Sequence, residues 1–425
     1  MNAFDTAAVL IAIAALTGYI NHRVLKLPAT TGTLAVALVS SVAIVVADAA
    51  MPAWGLQAVL RGFLGEIDFN EALMHGMLCF LLFAGSLHID LEGLLKHKWT
   101  IGALATIGVV LSTLVAGTLT WWAFGLLGAP IPFVVCLVFG SLIAPTDPIA
   151  VMGLLKDLKA PRGLEAQIAG ESLFNDGIAV VVFFALVSVA GLSADADAEV
   201  ITVSAAGLGG FFVREVAGGA LLGLGFGYVG YRALKSVNDH SLELLITLAL
   251  VMFTYSVSFW MHVSGPIAVV LAGLLIGNPG RAFAMSDTTR EHVDSFWQMV
   301  DEILNAVLFL LLGLEVFAVP AGPAAVVASV IVVPIALVAR LVAVSVPITA
   351  MSLTGPYRRG IVPILTWCGL RGGISVAMML SLPSFPGRDY LLAGTYAVVV
   401  FSILVQGLTV RRVLVYYGVG EPSTS

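Results

Sequence analysis

Thirteen apolar runs follow one another along this chain, most of them about twenty residues long and with little between them. They fall at about 6–24, 29–48, 71–88, 100–127, 131–154, 164–191, 211–234, 241–262, 265–278, 300–318, 323–353, 360–383 and 389–415. An α-helix needs about 20 apolar residues to cross the hydrocarbon of a bilayer, and its own backbone bonds satisfy every peptide group on the way. Such a series specifies an all-α, polytopic membrane protein, one transmembrane domain over residues 1–425 with no room for a large soluble domain. Composition agrees. Only 11% of the residues are Asp, Glu, Lys or Arg and 59% are hydrophobic, against about 25% charged in soluble domains. The same figures exclude a disordered chain. The net charge of −6 offers no basic surface for nucleic acid.

Basic residues test the count. With thirteen spans, one set of alternate loops plus the C-terminus holds Arg23, Lys26, Lys96, Lys98, Lys156, Lys159, Arg162, Arg232, Lys235, Arg281, Arg290, Arg358, Arg359, Arg411 and Arg412. The other set holds only Arg61 and Arg388. Excess positive charge marks the cytoplasmic side, so the N-terminus is expected outside and the C-terminus inside, in a multi-pass protein of the cytoplasmic membrane. An even count would put basic loops on both faces. No basic stretch precedes the first run, so a cleaved leader is not expected. Cys79, Cys136 and Cys368 lie apart in apolar runs and read as packed thiols. Loop 192–210, with Asp195, Asp197 and Glu199 before Gly207, Gly209 and Gly210, reads as a solvated linker, and 279–299 as a cytoplasmic loop.

Two runs have unusual interiors. Span 5 contains Ala144-Pro145-Thr146-Asp147-Pro148, an acid between two prolines; span 12 contains Gly369-Leu370-Arg371-Gly372-Gly373, an arginine among glycines. Proline removes a helical hydrogen bond and turns the preceding residue away from helix. Broken backbone at membrane depth survives only beside protein or a watery cavity, and breaks at matching positions of two halves point to the binding site of a secondary transporter. Span 5 is fifth among spans 1–6 and span 12 fifth among spans 8–13, running in opposite directions, so inverted repeats with two discontinuous helices are expected. Simple packing kinks are the plainer alternative, but each break holds an ionisable residue.

Span 6 reads Gly170-Glu171-Ser172-Leu173-Phe174-Asn175-Asp176-Gly177 before a purely apolar stretch. Helical spacing puts Ser172 and Asp176 one turn apart on one face, with Glu171 and Asn175 on the neighbouring stripe. Ionisable groups at this depth are costly and mark ion pathways. Arg340 in span 11 and Arg371 in span 12 need acidic partners for the same reason. A buried acid neutralised by arginine for architecture alone is a fair account of Glu171, and a weaker one of Asp176. Ser172, Thr146, Asp147 and Asp176 together offer hydroxyl, carbonyl and carboxylate oxygens, the ligands a small hard cation prefers. A carboxylate that binds either a proton or a cation couples the two by competition.

At these residues the chain resembles the sodium/proton antiporters of the NhaP and NHE type, the first monovalent cation:proton antiporter family. The resemblance runs over nearly the whole chain and rests on Pro145-Thr146-Asp147-Pro148, on Gly170 to Gly177, on Arg340, on Gly369-Leu370-Arg371-Gly372 and, more weakly, on Leu311-Leu312-Gly313-Leu314. It implies crossed broken spans 5 and 12, a homodimer, and a core bundle (about 100–191 and 323–415) moving against a dimerisation and scaffold bundle (about 6–88 and 211–318). It implies Asp176 as the cation and proton carboxylate, with Na⁺ at Asp176, Ser172, Thr146 and Asp147. Asn175 stands where electrogenic relatives carry a second aspartate, which implies electroneutral one-for-one exchange of Na⁺, or of Li⁺ or K⁺ in its place, for H⁺. Glu171 is expected to pair with Arg340 rather than Arg371. Ala84 departs from members that carry an acid in span 3. His88 and Asp90 read as interfacial, and Glu243 and Glu315 as packing or interfacial groups.

Other function classes fit the sequence less well. A K⁺/H⁺ antiporter of the same fold is the nearest alternative. A cation channel wants rings of ligands or a carbonyl filter, and neither pattern occurs. Nor is there a zinc, protease or nucleotide motif, so no enzyme and no cofactor are expected.

Overall fold

The computed structural model describes residues 3–51, 55, 62, 69–192, 205–280, 287–319, 322–353 and 360–420. Within them the chain is helical, with no strand beyond one isolated backbone bridge among the described residues. Thirteen spans can be followed. Spans 1 and 2 are Ala3–Ile20 and Ala29–Ala50, span 3 ends in Leu78–Leu87, and span 4 runs from Lys98–Ala103 into Val109–Leu126. Span 6 is Arg162–Ala190, span 7 Ala205–Lys235, span 8 His240–Trp260, span 9 Gly265–Leu275, span 10 Asp287–Leu314 and span 11 Pro323–Ser352. Span 13 runs from Arg388–Phe401 to Gly407–Tyr416. Among the described residues, eight helices have the length and hydropathy to cross a membrane unbroken.

Spans 5 and 12 are the interrupted ones. Span 5 consists of Phe133–Leu142 and Ile149–Asp157, and span 12 of Ile361–Cys368 and Gly373–Leu380. The breaks fall where Pro145, Pro148 and the Gly369–Gly373 stretch deny a continuous ladder. The two breaks cross: Asp147 N donates to Leu370 O at 2.8 Å, which gives each interrupted strand of backbone a partner inside the membrane.

Two boundaries differ from those expected. Span 10 starts at Asp287, so most of the stretch read as loop 279–299 is helix. Its first turns are amphipathic: Val293 and Trp297 are buried one turn apart while Glu291 and His292 are exposed, a pattern that a search for apolar runs passes over. Span 7 starts at Ala205 and takes Gly207, Gly209 and Gly210 into helix rather than linker. Glycine's helix cost of about 1 kcal/mol is outweighed where a helix is the one way to satisfy the backbone. Asp195, Asp197 and Glu199 of that proposed linker, with Arg61, Arg281, Arg358 and Arg359, lie outside the described residues.

Helix packing falls into two sets. Span 4 lies along spans 5 and 11, span 6 along span 5, and span 11 along span 13. Separately, span 9 lies along spans 3 and 7, and span 10 along span 2. Close approach explains the glycines at the first of these contacts. A Cβ on Gly140 of span 5 would run into the Thr113 carbonyl of span 4, and one on Gly117 would come within 2.9 Å of the Cys136 carbonyl. The three cysteines are buried free thiols.

Candidate functional site

The crossing of spans 5 and 12 lies against the polar turn of span 6. Glu171, Ser172, Asn175 and Asp176 are all buried, with Asp176 7% exposed. The span 5 break presents Thr146, buried, and Asp147, half-buried. Asn175 clamps Thr146 twice: its Oδ1 accepts from Thr146 N at 3.2 Å and its Nδ2 donates to Thr146 Oγ1 at 2.7 Å. The Thr146 and Ser172 hydroxyls are 3.0 Å apart. The Asn175 amide therefore uses both its donor and its acceptor to hold the broken backbone, which a carboxylate could not do, having no proton to donate.

The rest of the break is held by charge. Asp147 Oδ1 accepts from Ile149 N at 2.9 Å, an Asx-type turn that leads into the second half-helix of span 5. Arg371 Nη1 donates to the Ala144 carbonyl and, at 2.7 Å, to the Pro145 carbonyl, just past the end of the first half-helix. A cation there complements the negative end of a helix. The Arg371 backbone is fixed in turn: its N donates to Ser402 Oγ at 2.8 Å, and Ser402 Oγ donates to Gln406 Oε1 at 2.8 Å. Ser402 and Gln406 bound a π-helical turn in span 13, a widened turn of the kind that gathers at functional sites. A Cβ on Gly372 would come within 2.8 Å of Asp147 Oδ2, so the two breaks touch without an intervening side chain.

The two span 6 acids meet different fates. Glu171 is gripped by Arg340 through both guanidinium nitrogens, Nη1 to Oε1 and Nη2 to Oε2 at 3.0 Å, and Nη2 also donates to the Leu365 carbonyl at 2.9 Å. Arg371 takes carbonyls instead of a carboxylate. Asp176 Oδ1, by contrast, is buried with no hydrogen-bond partner. An unpaired carboxylate oxygen in such a place is expensive unless it takes a proton or a cation. The oxygens at the crossing, from Asp176, Asp147, Ser172 and Thr146, are hard donors. No cluster of three or more His, Cys, Asp or Glu with metal-holding geometry occurs among the described residues.

The structure thus brings Thr146, Asp147, Ser172, Asn175, Asp176 and Arg371 to one crossing and sets Glu171 and Arg340 beside it as a closed pair. Ala84 of span 3 lies in an apolar cluster with Phe83, Val269 and Trp297 and offers only a methyl group. Asp90 caps a short helix, Leu91–Lys96, by accepting from Glu92 N at 3.1 Å, and His88 Nδ1 lies 2.8 Å from the Ala84 carbonyl. Glu243 is buried in the first turn of span 8. Two groups escaped the sequence reading: Asp301 and Asn305 of span 10 face the crossing from outside it. Both lie inside the apolar run 300–318, where a polar pair one turn apart is their only sequence signal.

Comparison with known proteins follows the same lines. A family model described as sodium/hydrogen exchanger, transmembrane, matches residues 11–416. The chain is 44% identical over 423 residues to the Na⁺/H⁺ antiporter NhaP of Pseudomonas aeruginosa, covering 98% of each. It is 35% identical over 351 residues to the Na⁺/H⁺ antiporter NhaH of Halobacillus dabanensis, covering 81% of this chain and 83% of that one. The structure of the sodium proton antiporter MjNhaP1 from Methanocaldococcus jannaschii matches with a TM-score of 0.73 at 16% identity over 98% of each chain, a likeness of fold.

Proposed function

The chain belongs to the sodium/hydrogen exchanger family, and from that premise we propose that it is a secondary antiporter exchanging Na⁺, or Li⁺ or K⁺ in its place, for H⁺ across the membrane. The observation that carries the reading is Asp176: a buried carboxylate with an unpartnered oxygen where two broken helices cross. A proton or a monovalent cation satisfies that oxygen, and the two exclude one another. Ser172, Thr146 and Asp147 supply further oxygens for the cation, so a carboxylate loaded from one side releases its proton to that side and carries the cation to the other.

Three further features belong to this proposal. Exchange is one for one and electroneutral, because Asn175 is spent on Thr146 and leaves Asp176 as the titrating acid of its turn. Spans 4, 5, 6, 11, 12 and 13 act as the moving core, and spans 1, 2, 3, 7, 8, 9 and 10 as the dimerisation scaffold of a homodimer; the two packing sets support this division. The basic residues support an outside N-terminus and a cytoplasmic C-terminus, which suits pH homeostasis at the cell membrane.

Proteoliposomes test the reading. Adding Na⁺ outside vesicles with an imposed pH gradient dissipates it, and competing Li⁺ and K⁺ rank the cargo. Clamping the voltage with valinomycin leaves the rate unchanged; a strong voltage response refutes electroneutrality, and no dissipation by any of the three cations refutes antiport.

A further inference from the structure

Span 10 carries two polar groups that the crossing does not use. Asp301, half-buried, lies close enough to Asp147 for their charges to interact. Asn305, one turn further and 4% exposed, donates from Nδ2 to the Asp301 carbonyl at 2.8 Å. Asn305 Oδ1 is buried with no hydrogen-bond partner. An amide oxygen left so is a cost that folding alone does not repay.

The same face of span 10 continues to the crossing. Leu308, on the next turn, fills the space that a Cβ on Gly373 would need, while a Cβ on the adjacent Gly372 would meet Asp147 Oδ2 at 2.8 Å. The bare backbone of Gly372 and Gly373 thus brings span 10, at Leu308, close to Asp147. Two carboxylates held near one another repel, and a cation between them relieves the repulsion. Carboxylate and amide oxygens are also the donors that replace water around a hard cation.

Resting on the antiport reading, we propose that Asp301 and the Asn305 amide oxygen form an approach site for the transported monovalent cation. There the ion exchanges part of its hydration shell before it reaches Asp147 and Asp176. Asp301 is a positioning residue: it raises the local cation concentration at one mouth of the path and does not itself carry the exchanged proton. Because span 10 enters the membrane from the side of residue 287, the approach site serves that side alone.

The test is sided kinetics in oriented proteoliposomes with Na⁺ as the probe, comparing wild type, Asp301→Asn, Asp301→Glu and, as reference, Asp176→Asn. In Asp301→Asn the apparent KM for Na⁺ rises roughly three- to tenfold on the Asp301 side, the size of a carboxylate acting over several ångströms in partly solvated surroundings. It moves less than about twofold on the other side, as does kcat, because only the ion's approach is impaired. Asp301→Glu restores most of the affinity. If Asp301→Asn does not fold, Asn305→Leu makes the same sided test through the lost oxygen. A KM unchanged on both sides, an equal rise on both, or a fall in kcat alone overturns the approach site. With wild type active and Asp176→Asn silent, such a result leaves antiport standing; an inactive wild type ends both proposals.

Discussion

Glu171 and Asp176 sit five positions apart on one helix, both buried and both acidic, yet their surroundings differ in kind. Glu171 has its carboxylate filled by Arg340, which also reaches the Leu365 carbonyl and so ties spans 6, 11 and 12 together. Asp176 has an oxygen that nothing in the protein satisfies. Removing two charges from water is expensive, and a bidentate pair with further hydrogen bonds offsets the cost by fixing geometry. A single charge kept without such a partner serves no architectural end. The difference teaches how to separate a structural acid from a working one inside a membrane: ask which lone pairs the fold leaves over.

The contrast can be broken most severely at Asp176. Asp176→Asn lowers Na⁺/H⁺ exchange in proteoliposomes at least about a hundredfold, a loss of roughly 3 kcal/mol in the barrier arithmetic, while thermal unfolding in detergent stays near that of wild type. Exchange that persists in this variant removes Asp176 from the carrier role. At Glu171 the expected signature is the reverse. Glu171→Gln leaves Arg340 buried and uncompensated, a cost of about 3–5 kcal/mol, read as a large drop in the unfolding temperature. An unfolding curve that overlays wild type sinks the structural assignment.

Asn175 and Ser172 sharpen the picture between these extremes. Asn175→Ala deletes both bonds to Thr146 and takes the acceptor from the buried Thr146 N–H, while the Thr146 hydroxyl keeps Ser172, a loss of about 1–3 kcal/mol seen as a lower unfolding temperature together with slower exchange. Preserved stability would mean that Thr146 is held some other way. Ser172→Ala, the mildest change, removes one neutral oxygen. Its apparent KM for Na⁺ rises about two- to tenfold, the worth of a single hydrogen-bond-sized contact, with unfolding unchanged; a wild-type KM contradicts a role for Ser172 at the cation.

Much of the fold could be read from the chain because the membrane simplifies the problem. Each span must be apolar and helical, so thirteen runs and two proline- or glycine-rich interruptions are legible without any knowledge of packing. The ionisable residues deep in spans 5, 6, 11 and 12 were legible for the same reason: charge is costly there. What the pattern does not carry is who faces whom. The Glu171–Arg340 pair was expected from the family resemblance, but that Arg371 would take the Ala144 and Pro145 carbonyls depends on how spans 5 and 12 cross, a contact between residues more than two hundred positions apart. Asp301 and Asn305 were hidden for the same reason. Both lie inside the run 300–318, and nothing in that run tells that Asp301 comes near Asp147 of span 5.

Proton release on sodium binding tests the central claim most directly. Calorimetry of the detergent-solubilised protein, titrated with NaCl in buffers of differing ionisation enthalpy, counts the protons displaced as the cation binds. Competition at one carboxylate predicts that release approaches one proton per Na⁺ when Asp176 starts protonated, and vanishes in Asp176→Asn. Sodium binding without proton release at any pH, or undiminished release in Asp176→Asn, would contradict it.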